Sequence, residues 1–475
     1  MFNVHDQDER LNIAFHSSYE ITANDPAIIA AQKQIASASE KDILSGVLTL
    51  HSLLVTQEDV CLQFINDQTI QRLIELVKST DSDFQIKNQI LGFVSSLCKV
   101  EKTFTHKFWH NELQTVLIAI ISEDSPSVLL TPPIEILSEM ANWTKISFNI
   151  LINNFNLINI LLRKLTLPLS IPDQYGVLNG LSSLLGSKWP KSDAYVIEII
   201  KALYSLLANS NLNDQILGKT FKVISLALGT SNEDEDEPVS AQNDPILQNI
   251  DLRPLCQSAV ELLQTRKRGQ TQVEIIEFMC NAVYRSDEIA NIFLELNTLD
   301  IFHKLCRLAS EDSIIQTLIT VSNCLISSPN TNNFLFNSKY LNDAAQYLHY
   351  GTQKIKIEAL RMFNNIIFLK SRFFNATFAR NVLEKYDILD VLGDFLHIDE
   401  SDSASMLILC TCLNCIYSSI VIYQTTGCEM PSPPIQLMLE ESNYEEMMKL
   451  SEFNELTIQE LATLIKNEVK PFVPS

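Results

Sequence analysis

Glycine and proline are scarce in this chain, with 11 and 16 among 475 residues. That scarcity excludes collagen-like and turn-rich β architectures. No stretch alternates apolar and polar residues in the manner of a strand. Apolar residues instead recur at helical spacing, so the chain reads as all-α. At 46% hydrophobic content it can bury a large core, yet it is too long for one compact core, which leaves several domains or an extended repeat stack.

Cations are also in short supply: 35 Lys and Arg face 57 Asp and Glu, for a formal charge of −22. Nucleic acid is therefore not an expected partner, because neutralising a phosphate backbone needs clustered bases. Basic partners fit better. The opening "MFNVHDQDER" has neither the basic nor the apolar segment of a secretion signal, so an intracellular location with reduced thiols is expected for the ten cysteines. Glycosylation is accordingly not expected at the sequons of Asn142 and Asn375.

Between Ser403 and Cys428 there is no charged residue, and "MLILCTCLNCIYSSIVIY" has the length of a membrane span. Thr411, Asn414, Ser418, Ser419 and Gln424 dilute it, and "YSS" suggests a break between two shorter core helices. No membrane partner is expected.

Catalytic and metal motifs are absent. There is no glycine-rich phosphate loop and no nucleophile elbow, and the many carboxylates form no dyad pattern. Cys410, Cys412 and Cys415 would point in scattered directions on a helix and lack an adjacent fourth ligand for zinc. His106 and His110 lie four apart without the Glu of a zinc-protease helix. The chain is expected to be no enzyme and to carry no cofactor and no metal.

Self-comparison is more informative. "ILGFVSSLCKV" (90–100), "ILSEMANWTK" (136–145), "VLNGLSSLLG" (177–186), "FKVISLALG" (221–229), "IEFMCNAVYRS" (276–286), "LITVSNCLISS" (318–328) and "LRMFNNIIFLKS" (360–371) share one pattern. Aligned on Ser96, Asn142, Ser183, Leu226, Asn281, Asn323 and Asn365, they are 46, 41, 43, 55, 42 and 42 residues apart. That period of about 42 belongs to armadillo and HEAT solenoids, whose units bury their apolar faces only by stacking. The long interval contains the acidic insert "NEDEDEPVSAQND" (232–244), expected to be a disordered loop. Further helical segments between the anchors, such as 68–79, 112–122, 157–165 and 255–264, favour three-helix armadillo units. The expected architecture is a right-handed armadillo solenoid of about nine to ten repeats over 26–430. A weakly ordered 1–25 precedes it, and an acidic capping repeat covers 431–475.

At 100° per residue Asn365 lies about 200° from Phe363 and Ile367, so it faces away from the core they enter, whereas residue 361 is only about 40° from it. The anchor and the residue four before it thus form an exposed row. An asparagine amide can donate to a carbonyl and accept from an N–H, so a row of them can hold an extended peptide by its backbone, or satisfy neighbouring backbone inside the stack.

With these residues in view, the chain resembles the importin-alpha family. The family's third helices read W-A-L-S-N-L, and its fourth repeat continues C-R-G-K-x-P-P; "NGLSSLLGSKWPKS" lies on that signature, with Lys188 and Pro190 near the expected places. "LEESNYEEMMKLSEFNELTIQELATLIKNEV" (439–469) resembles the final repeat, which in the family contributes to binding the export receptor.

The resemblance implies an adaptor for nuclear import, moving between cytoplasm and nucleus. Cargo would be a protein with an extended, basic segment, and Asn142, Asn281, Asn323 and Asn365, with Ser96 and Ser183 in the matching places, would hold its backbone. Glu139 and Glu277 would tune charge.

The departures are specific. Gly92, Ser138, Asn179, Lys222, Ile319 and Arg361 stand where the family places tryptophan, removing an aromatic floor for lysine side chains. Residues 1–35 hold only Arg10 and Lys33 as cations, so importin-beta would not be recruited through a basic N-terminal helix. An altered cargo preference is expected. The alternative is an armadillo scaffold or chaperone cofactor with no role in transport.

Overall fold

The computed structural model describes residues 26–56, 58, 62, 65–79, 83–123, 129–208, 212–229, 244–265, 269–307, 309–397, 403–453 and 455–473. The expectations for 1–25 and for the acidic insert up to 243 lie outside these residues. All regular structure among the described residues is helical.

The chain divides into two units, Met1–Ile160 and Leu161–Ser475. In the first, three ladder helices stack in order, each packed on the next: α1 (Glu40–Thr56), α2 (Phe84–Val100) and α3 (Thr131–Trp143). In the second, the stack comprises α4 (Ile171–Leu185), α5 (Asp214–Gly229), α6 (Gln270–Arg285), α7 (Glu311–Ser327), α8 (Gln353–Ile367), α9 (Ser403–Thr425) and α10 (Leu456–Val469). These ten among the described residues agree with the repeat number read from the period.

Each ladder helix closes a unit whose earlier helices are shorter. Before α7 come Asp287–Glu295 and Thr298–Cys306; before α8, Thr331–Asn337 and Tyr340–Tyr350; before α9, Ala376–Lys385 and Ile388–Phe395. Three helices per repeat is the armadillo pattern rather than the two of HEAT units. The tight joint between the first two helices recurs as a residue with positive φ: Glu112 (59°), Asn156 (56°), Asn297 (57°) and Asp387 (50°). Asn and Asp visit this left-handed region at least cost among side-chain-bearing residues, which is why three of the four joints use them.

Burial follows the helical period. In α8, Ala359, Leu360, Met362, Phe363, Ile366 and Ile367 are buried while Arg361 and Asn365 stay half-exposed. Gly218 is required by packing, because a Cβ there would lie 2.9 Å from the Thr271 backbone and closer still to the Glu274 carboxylate. It lets α5 and α6 approach closely.

Two expectations need correction. The apolar stretch is one continuous helix of 23 residues, with no break at "YSS". Its serines fit a helix because Ser419 Oγ donates to the Cys415 carbonyl at 2.7 Å, satisfying the hydroxyl internally. This helix is long and apolar enough to cross a membrane, but it packs against α8, α10 and the helices Ala376–Lys385 and Ile388–Phe395. The second correction concerns Asp244, assigned above to the acidic loop. It is buried, caps the helix Pro245–Asn249 through the Ile246 and Leu247 amides, and pairs with Arg285 at 2.7 Å.

The helix that ends in "VLNGLSSLL" runs from Ile171 to Leu185 and is capped at Gly186. Trp189 lies in the following turn with Lys188 4.7 Å from its ring, so this tryptophan is not on the ladder face. At the C-terminus, the capping region holds three helices: Pro433–Met438, Glu441–Leu450 and α10.

Candidate binding face

The anchor residues of α6 to α9 make one repeated contact. Asn281 Nδ2 donates to the Ser225 carbonyl (3.1 Å) and hydroxyl (2.9 Å). Asn323 Nδ2 reaches the Cys280 carbonyl and sulfur, both at 3.3 Å. Asn365 Nδ2 reaches the Ser322 carbonyl (3.4 Å) and hydroxyl (2.6 Å). Each amide therefore stitches its helix to the residue just before the anchor of the preceding ladder helix.

Asn414 continues the series by donating to Asn364 Oδ1 at 2.8 Å. Sequence reasoning missed it, treating it only as a polar residue in an apolar run. The signal was present: "NCIYSS" (414–419) repeats "NCLISS" (323–328).

In these stitches the amide nitrogens satisfy neighbouring groups inside the stack. The amide oxygens of Asn281, Asn323 and Asn365 remain as acceptors that a ligand backbone N–H could use. The side chains are half-buried, and the stitch fixes their orientation before any ligand arrives.

Serine anchors behave differently. Ser96 Oγ donates to the Gly92 carbonyl at 3.1 Å and contacts His51 Nε2 at 3.0 Å, linking α2 to α1. Ser183 is half-buried on α4, and Asn142 is half-buried one residue before the end of α3.

Glu277 is not a free acid, because Lys222 Nζ lies 2.6 Å away across α5 and α6. Beside it the Glu274 carboxyl is pushed up to about 7, chiefly by burial and against the pull of Lys219 and Lys222. In the first unit Lys99 pairs with Glu135 at 2.9 Å, and burial raises Glu139. On α8, Arg361 pairs with Glu358 at 2.5 Å. Of the positions that the resemblance assigns to tryptophan, Lys222 and Arg361 thus sit in ion pairs, Gly92 and Ser138 are small, Asn179 is an amide and Ile319 is aliphatic. At Gly92 an added Cβ would meet open space.

Two other clusters lie elsewhere. His106 and His110 bring their Nε2 atoms to 2.6 Å on an exposed helix. A polar cleft of about 460 Å³ lies between Thr298–Cys306 and Tyr340–Tyr350, where His303 pairs with Asp343 at 2.5 Å. The cysteines of the 410–415 run are packing groups: Cys412 Sγ donates to the Leu392 carbonyl at 3.1 Å and Cys415 Sγ contacts Asn364 Oδ1 at 3.4 Å.

No protein-family model and no curated protein matches the chain. Solved structures do. An engineered protein known from its crystal structure aligns with 94% of this chain and 99% of its own at a TM-score of 0.67 and 13% identity. The fold is an armadillo-type helical solenoid. Two designed armadillo repeat proteins align over 58% of this chain and 99% of their own. One has 14% identity and a TM-score of 0.44; the other, in complex with the peptide (KR)4, has 16% and 0.42. Similarity at this level says nothing about the ligand of this chain.

Proposed function

We propose that the chain is a non-catalytic peptide-binding scaffold, an importin-alpha-like adaptor that holds an extended segment of a cargo protein along its ladder helices and moves between cytoplasm and nucleus. The observation that carries this reading is the stitched row of Asn281, Asn323 and Asn365, whose amides are oriented in advance by the stitch and keep their oxygens as acceptors. In this reading the helices over 439–469 engage an export receptor. Importin-beta is not recruited through residues 1–35, which hold too few cations.

A second reading has its own support. Lys222 and Glu277 fill the row beside the anchors with a ready-made ion pair, which suits an armadillo scaffold or chaperone cofactor outside transport. A basic ligand would have to displace Lys222.

The two readings separate in binding of a labelled basic localisation peptide to the whole chain across a salt series. The adaptor reading expects binding that weakens with salt and falls about tenfold in the Asn323→Ala, Asn365→Ala double variant, the loss of two net hydrogen bonds. Absence of binding to the folded chain would remove the transport reading and leave the scaffold.

A further inference from the structure

The ladder face changes chemistry along the second unit. On α5 and α6 the positions seven and four residues before the anchor are Lys219, Lys222, Glu274 and Glu277, all ionisable. From α7 to α9 the same positions are Gln316, Ile319, Glu358, Arg361, Leu407 and Cys410. The only charges among these six are Glu358 and Arg361, and they neutralise each other within α8.

Three residues beyond the anchors stand Ile326 and Tyr417, on the same helical face because three residues span about 300°, and Phe368, which is the extended residue that ends α8. Ile326 is 51% exposed and Leu407 39%, a high exposure for aliphatic side chains that flank hydrogen-bonding groups. Asn323, Asn365 and Asn414 run through the middle of this surface.

We infer that the α7–α9 face binds an extended peptide segment with uncharged, aliphatic side chains, its backbone held by the asparagine row and its side chains covering Ile319, Ile326, Phe368, Leu407 and Tyr417. Charge decides the occupant. At the six flanking positions of α7–α9 a basic segment would find no unpaired carboxylate and an acidic one no unpaired cation, whereas an uncharged strand leaves the Arg361–Glu358 pair intact and removes apolar surface from water. The inference rests on the peptide-scaffold reading and refines it.

The test uses the whole chain with two labelled, end-capped dodecapeptides, one alternating Leu or Val with Ser or Thr, the other Lys- and Arg-rich. The aliphatic peptide should bind with affinity unchanged across the salt series. Ile326→Asp and Leu407→Asp, both at exposed positions that leave the core intact, should each weaken it about tenfold. Ile146→Asp, at a more exposed aliphatic site in the first unit, should not.

Binding of the basic peptide alone would overturn the inference while leaving the peptide scaffold standing. Binding of neither would remove both. Equal losses in all three Asp variants would show nonspecific adhesion and also overturn it.

Discussion

Within the second unit, α5–α6 and α7–α9 share a backbone arrangement and a stitch but not a chemistry. In both stretches an anchor amide bonds to the residue before the preceding anchor. On α5–α6 this stitch is flanked by Lys219, Lys222, Glu274 and Glu277, and on α7–α9 by Ile319, Ile326, Phe368 and Leu407. The stack is therefore set by the anchor row and its buried neighbours, while the flanking positions change chemistry without disturbing the stitch. Under the proposed reading, that division would let one solenoid take different ligands.

The comparison can be broken at its tightest point. Gly218→Ala should destabilise the second unit by about 3 kcal/mol, since the new methyl meets the Thr271 backbone, and overpacking of this kind costs about 1–3 kcal/mol. Denaturant unfolding would show it. Gly92→Ala in the first unit should do the reverse and gain about 0.5–1 kcal/mol, because its Cβ meets nothing and alanine is the better helix former.

Asn281→Ala should cost about 1 kcal/mol, the net worth of a hydrogen bond. Asn414→Ala should cost less, because Cys415 Sγ still contacts the Asn364 Oδ1 acceptor. Equal losses would show that the stitches differ less than their geometry indicates.

The smallest effect is a pH dependence confined to α5–α6. The folded Glu274 carboxyl is pushed up to about 7, above its ordinary range, mainly by burial. The folded state then holds this proton more tightly than the unfolded chain, so the associated stability is full below the ordinary value of 4.5 and is lost progressively as pH rises to about 7. Glu274→Gln should raise the melting temperature at and above neutrality and leave it nearly unchanged at about pH 4, where the carboxyl is protonated in both states.

Much of the fold was legible in the sequence. The period near 42 residues, the burial of Phe363 and Ile367 and the half-exposure of Asn365 all follow from apolar spacing on a helix. The candidate site was legible only in part. Asn414 escaped because the surrounding run satisfies a length test for membrane spans, and the same composition serves a core helix packed on several neighbours. Asp244 escaped because the acidic run before it masked a helix cap.

By itself the sequence determined the helical class, the repeat and the register of the anchors, since each depends on spacing within one helix. Only the tertiary structure decided what the anchors bond to and which charges are already spent. Asn281 meets Ser225 and Lys222 meets Glu277 across separations of more than 50 residues, where no local pattern constrains the partner and stacking alone brings donor to acceptor.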